Sequence, residues 1–256
     1  MPHRLAAALG ALLLLGAASL AGADAPDPAD AVLQVINLDG NANWALGVSG
    51  TGFFIKPDGT AITNSHVVFP SFSRPDRYKL VAVVGHTFYD ARIICATRLS
   101  YNPLTDGTRS VLLSRDIAEI AVEPPSLPFR ELVDKLHDGQ RITLATARDG
   151  AMPTFRALVV ADGAATGQHV QVLGFGHISP IPEEWKADGH VSGFHTAQDG
   201  TQVFDMQFDG RPQAGNSGSP VLNDQHHVIG VWTWHSNTDN SAGTAQSNQV
   251  LQPPCR

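Results

Sequence analysis

The sequence predicts an all-β protein built in two halves. From Ala31 onward, short apolar or alternating runs are bounded by Gly, Asn, Asp and Pro, the pattern of strands joined by turns. The 24 glycines and 17 prolines are spread along the chain, which favours many short strands. No period of roughly 20 to 50 residues repeats, which argues against a propeller or solenoid.

The N-terminus comes first. Arg4 precedes an apolar or small stretch from Leu5 to Leu20, and Ala21-Gly22-Ala23 supplies the small residues that a signal peptidase reads. Residues 1–23 are therefore expected to be a cleaved secretory signal. As a membrane anchor the stretch falls short of the roughly 20 apolar residues that span a bilayer, and DAPDPAD follows it with no basic stop signal. No cysteine follows that could carry a lipid. A secreted or periplasmic protein without a membrane anchor is expected.

The expected strand runs are LQVINL, GTGFFI, GTAITNSHVV, LVAVV, ARIICAT, IAEIAV, ITLAT, ALVV, VQVLGFG, VFDMQF, SPVL and VIGVWTW. Lys56-Pro57-Asp58-Gly59 has the chemistry of a tight hairpin turn. The one helix predicted is PFRELVDKLHDG, where Phe129, Leu132, Val133 and Leu136 share a face between Pro128 and Gly139. It follows Pro124-Pro125, the best linker in the chain. The expected division is 24–125 for a first β-barrel and 126–256 for a second, each long enough to close.

Composition excludes some functions. A net charge of −7 with only 16% charged residues leaves no basic face to track phosphates, so no nucleic acid partner is expected. Among the 11 histidines, His190 and His195 are five apart and His226 and His227 adjacent, without the spacing of a zinc motif. No metal or other cofactor is called for. Export permits a disulfide between Cys95 and Cys255, the alternative being two unpaired thiols. Nothing in the sequence fixes an oligomeric state.

The strongest local signal is Gly215-Asn216-Ser217-Gly218-Ser219-Pro220. Small residues on both sides of Ser217 let the backbone turn sharply and present the hydroxyl, while the N–H groups of Gly215 and Ser217 can point into one space and hold an oxyanion. A serine hydroxyl needs a base, and His66 stands in TNSHVV. The base needs an acid to orient it, and Asp116 stands at the mouth of RDIAEIA. Base, acid and nucleophile follow in that order, the first two in one half and the serine in the other. Asp106 is the alternative acid, in a TDGT turn.

GTGFFI with TNSHVV, RDIAEIAV, and DGRPQAGNSGSPVLN with VIGVWTW resemble the three ordered segments of the trypsin-like, chymotrypsin-fold serine peptidases. The bacterial Deg-type and glutamyl-endopeptidase-like branches are the nearest in pattern. The resemblance runs from about Gly50 to Leu251. It implies two six-stranded antiparallel barrels with an active site between them, polypeptide substrates, and hydrolysis through an acyl-enzyme on Ser217. Asn216 stands where animal digestive members carry the aspartate that pairs with a new N-terminus. No PDZ-type domain follows in this sequence. The stretch from Leu99 to Ser114 and the helix after Pro124 look like insertions.

Val231-Trp232-Thr233-Trp234-His235 resembles the segment that pairs with an extended substrate and walls its first side-chain pocket. Arg211, Thr233, Trp234 and His235 are the expected substrate-binding residues, and Arg211 with His235 suggests a preference for an acidic side chain. One of the two tryptophans is expected in the core. A rival function is a secreted pseudo-enzyme that binds peptides in the same cleft without cutting them.

Overall fold

The computed structural model describes residues 27–40, 45–85, 87–99, 101–103, 109–111, 114–124, 145–146, 152–176, 184–210, 215–236 and 239–255. The predicted signal and the predicted helix around residues 128–139 lie outside them.

After a 3₁₀ turn at Pro28–Ala31, the first barrel comprises β1 (Val32–Asp39), β2 (Ala45–Phe54), β3 (Thr60–Thr63), β4 (Tyr78–Val84), β5 (Thr87–Ala96) and β8 (Ala118–Glu123). They pair in the order β4-β1-β2-β3-β8-β5, and β4 pairs with β5 to close the ring. Between β5 and β8, β6 (Tyr101–Pro103) and β7 (Arg109–Val111) form a separate two-stranded hairpin. A short β9 (Ala145–Thr146) adds in parallel to β5.

The second barrel closes in the order β10 (His169–Phe175), β11 (Glu184–Thr196), β12 (Gln202–Phe208), β15 (Ala242–Ser247), β14 (Val228–His235), β13 (Pro220–Leu222). The two six-stranded antiparallel barrels expected from the sequence are present.

Strand alternation divides the apolar residues among three cores. Phe54, Ala61 and Ile120 fill the first barrel, and Val170, Val172 and Phe204 the second. Their strand neighbours Phe53 and Ile62 meet Leu173, Phe175, Val231 and Leu251 in a third core between the barrels. Each such large side chain contributes about 1.5–3 kcal/mol on burial. The barrels therefore pack as one body, and residues on their facing sides are fixed relative to each other.

Two sequence expectations are corrected. SHVV, read as the end of a strand, opens a helix, α1 (Ser65–Ser73), which buries Val67, Val68 and Ser71 against the first barrel. Tertiary packing overrides the β preference of its valines. ALVV does not form a strand; Val160 makes only an isolated bridge to Val228. This segment is a strap between the barrels. Phe155 and Leu158 N–H groups donate to Pro57 and Phe54 carbonyls in the first, and Ala161 N–H donates to Val228 in the second.

Cys95 on β5 is joined to Cys255 beyond the last 3₁₀ turn, Asn248–Leu251, across 160 residues of chain. Arg115 reinforces the same tail, its guanidinium donating to the carbonyls of Val250 and Pro253. Replacing both cysteines by serine is expected to lower stability by about 2–5 kcal/mol. Urea unfolding checks this, with reductant expected to shift the wild-type midpoint and leave the double variant unmoved.

The hairpin turn before β3 is held by Asp58, whose carboxylate accepts the Thr60 hydroxyl at 2.6 Å and the Thr60 N–H at 2.9 Å. These bonds keep its carboxyl below the ordinary value. A depressed folded value means that the contribution is complete above about pH 4 and is lost as pH falls further. Asp58→Ala should therefore destabilise slightly near neutrality and by less in acid, a difference that thermal unfolding at the two pH values would show.

Candidate active site

The nucleophile loop enters from the second barrel, just before β13. Gly215 has φ 102° and Gly218 φ 90°, left-handed conformations that cost a side-chain-bearing residue strain. At Gly218 a Cβ would also collide with the Thr51 carbonyl and the Thr63 hydroxyl. Glycine thus lets the loop sit directly against the chain leading into α1. Thr51 on β2 holds it there, its N–H donating to the Ser217 carbonyl at 2.8 Å and its hydroxyl to the Gly215 carbonyl at 2.9 Å. Thr51 Oγ1 in turn accepts Phe175 N–H at 3.0 Å. Gly218 N–H donates to the Trp232 carbonyl at 2.9 Å, tying the loop to β14. Among the described residues, the N–H groups of Gly215 and Ser217 find no acceptor.

His66 lies in the first turn of α1. Asp116, wholly buried, precedes β8. Its two carboxylate oxygens engage the same residue at two points: Oδ1 accepts the His66 backbone N–H at 3.0 Å, and Oδ2 lies 2.6 Å from the ring Nδ1. This contact gives Nδ1 the proton and leaves Nε2 as the basic nitrogen. The His66 side chain is 27% exposed, so its far edge is open. No hydrogen bond joins Ser217 Oγ to Nε2 in this structure; such contacts are often long in unliganded sites and tighten with substrate bound.

Below this pair lies a buried polar cluster that sequence reasoning missed. Asn64, just before α1, donates to the Asp116 carbonyl at 2.7 Å and to Thr233 Oγ1 at 3.1 Å. Gln246 on β15 contacts the same peptide and the same hydroxyl. Asn64 and Thr51 stood within quoted motifs without a role, and Gln246 in no motif.

The expected substrate-binding residues differ in burial. Thr233 is buried and its hydroxyl belongs to the cluster just described. Trp234 is half-buried and His235 exposed at the end of β14. Trp232 is the core tryptophan, its ring edge-on to Phe208 at 5.1 Å. Arg211 and the alternative acid Asp106 lie outside the described residues. Among the described residues, no group of three His, Cys, Asp or Glu side chains could hold a metal, and no helix is long and apolar enough to cross a membrane.

Two closed six-stranded barrels, with a serine loop from one set against a histidine and buried aspartate from the other, have the architecture of a trypsin-like serine peptidase. A family model described as a trypsin-like peptidase domain matches residues 50–231, and the chain belongs to that family. It is 27% identical over 187 residues, 73% of its length, to a probable periplasmic serine endoprotease DegP-like from Chlamydia pneumoniae, and spans 28% of that relative. Solved structures share its fold, among them two bacterial proteases. The Rv3671c protease from M. tuberculosis in its active form aligns with TM-score 0.54 and 22% identity over 88% of this chain and 79% of that one. The serine endoprotease from Yersinia pestis aligns with TM-score 0.56 and 16% identity over 88% of this chain and 61% of that one.

Proposed function

We propose that the protein is a secreted or periplasmic serine endopeptidase in which Ser217 is the nucleophile, His66 the general base and Asp116 its orienting acid. The observation that carries this reading is the two-point contact of Asp116 on His66 beside the Ser217 loop. In the acylation step Nε2 of His66 takes the proton from Ser217 Oγ as that oxygen bonds to the scissile carbonyl carbon. The carbonyl electron pair moves onto its oxygen, which the N–H groups of Gly215 and Ser217 receive. Collapse returns the pair, breaks the C–N bond, and the leaving amine takes the proton from His66. Water repeats the sequence at the acyl-enzyme, releasing the acid and restoring Ser217.

The two halves of the mature chain, 24–125 and 126–256, then act as one peptidase domain, since neither alone holds the whole triad. The description of the Chlamydia pneumoniae relative as a probable periplasmic protease supports an exported location. The end of β14 from Thr233 to His235 would pair with the substrate backbone by strand addition. A peptide panel varied only at the residue before the cut tests whether Arg211 and His235 select an acidic side chain, which requires Glu and Asp to be cleaved better than Ala or Leu.

Hydrolysis of an unfolded protein such as casein tests the main proposal. Cleavage is expected to persist in chelator. Peptide binding without cleavage would favour the binding-module reading, and loss of cleavage in chelator would favour a metal-dependent hydrolase.

A further inference from the structure

We infer that Gln246 is a positioning residue for Asp116 that acts across the barrel interface, an inference that rests on the proposed triad. On β15, Ala245 faces the interior of the second barrel. Its neighbour Gln246 reaches the first barrel and is fully buried. The Gln246 amide grips a single residue at both backbone groups: Oε1 accepts Asp116 N–H at 2.8 Å and Nε2 donates to the Asp116 carbonyl at 3.0 Å. Nε2 also donates to Thr233 Oγ1 at 2.9 Å. Asn64 donates to those same two oxygens from the first barrel, so two amides, one from each barrel, converge on one carbonyl and one hydroxyl.

Asp116 needs such support because it precedes β8, and no strand ladder holds its peptide groups. Its neighbours are pinned from the first barrel. Thr97 Oγ1 donates to the Arg115 carbonyl at 2.8 Å and accepts Ile117 N–H at 3.0 Å, and Ser65 Oγ donates to the Ile117 carbonyl at 2.7 Å. Among the described residues, the N–H of Asp116 itself is held by Gln246 alone. Without that acceptor, a buried donor is left unpaired and the backbone must turn to relieve it. The carboxylate turns with the backbone, and the 2.6 Å contact on Nδ1 tolerates little rotation. The imidazole then loses the orientation that aims Nε2 at Ser217.

The test compares Gln246→Met, which keeps the length of the side chain and removes its hydrogen bonds, with Gln246→Glu, which keeps an acceptor for Asp116 N–H. Competent sites are counted by titration with a fluorophosphonate, so that kcat is expressed per site. The His66 Nδ1 proton is followed by NMR. Gln246→Met is expected to lose about tenfold or more in kcat per site, a misplacement of about 1 Å being able to cost about 100-fold. Gln246→Glu should lose less, KM should stay within about twofold in both, and the downfield Nδ1 resonance of the Met variant should broaden or move upfield. Wild-type kcat per titrated site with an unchanged resonance would overturn the inference. So would failure of both variants to fold, which would assign the side chain to folding. Retained activity in Ser217→Ala and Asp116→Asn would refute the triad itself, whereas their inactivity beside a wild-type-like Gln246→Met would remove only the role given to Gln246.

Discussion

Ser217→Ala is expected to reduce kcat for peptide hydrolysis by about 10⁶-fold while leaving the fold in place. The Ser217 side chain has no hydrogen bond to lose among the described residues. The loop is fixed by backbone contacts that alanine keeps, Thr51 N–H on the Ser217 carbonyl and Gly218 N–H on the Trp232 carbonyl. The variant should melt with the wild type and bind peptide substrates, yet form no acyl-enzyme, because no atom remains to attack the carbonyl. Residual turnover from the oxyanion donors and substrate positioning alone would lie far below that of the wild type. Steady-state kinetics on one peptide, beside a thermal melt, reads both halves of this expectation.

The second large effect is expected at Asp116. Replacing it by asparagine should cost about 10⁴-fold in kcat for a reason specific to its two contacts. Both carboxylate oxygens now accept, one from the His66 backbone N–H and one from Nδ1. An asparagine can offer only one acceptor oxygen. If that oxygen keeps the backbone N–H, the amide NH₂ faces Nδ1 and favours the tautomer with the proton on Nε2, the wrong nitrogen for a base. If it turns toward Nδ1, a buried backbone donor faces another donor. Asp106→Ala should leave kcat close to that of the wild type, because Asp116 already occupies His66 at both points. A large loss at Asp106 beside a small one at Asp116 would reverse the assignment.

The parts of the site legible in the sequence are those whose chemistry demands particular residues next to each other. Glycines around Ser217 and an aspartate at the mouth of a strand are such demands, and the structure gives each a physical basis in a left-handed φ or a two-point hydrogen bond. The supporting residues were hidden for the opposite reason. Gln246 reaches Asp116 over 130 positions of chain, and an amide in a polar run carries no local mark of such a partner. Its strand, AGTAQS, has little intrinsic β preference and is a strand because β12 and β14 pair with it on both sides. The helix carrying His66 was obscured by its β-branched valines, which fit the first barrel better as part of a turn of helix. ALVV has the composition of a strand, but its backbone bonds are divided between two barrels, Leu158 N–H donating to the Phe54 carbonyl and the Val159 carbonyl accepting Val228 N–H, and it joins neither ladder.

The proposed nucleophile is Ser217, made reactive by His66 and Asp116. Its most direct test is mass spectrometry of the folded protein after reaction with a fluorophosphonate. One adduct per chain is expected, on Ser217, formed at a rate that collapses in His66→Ala and Asp116→Asn and is unaffected by chelator. A folded wild-type protein that takes up no probe, or takes it up on a different residue, would contradict it.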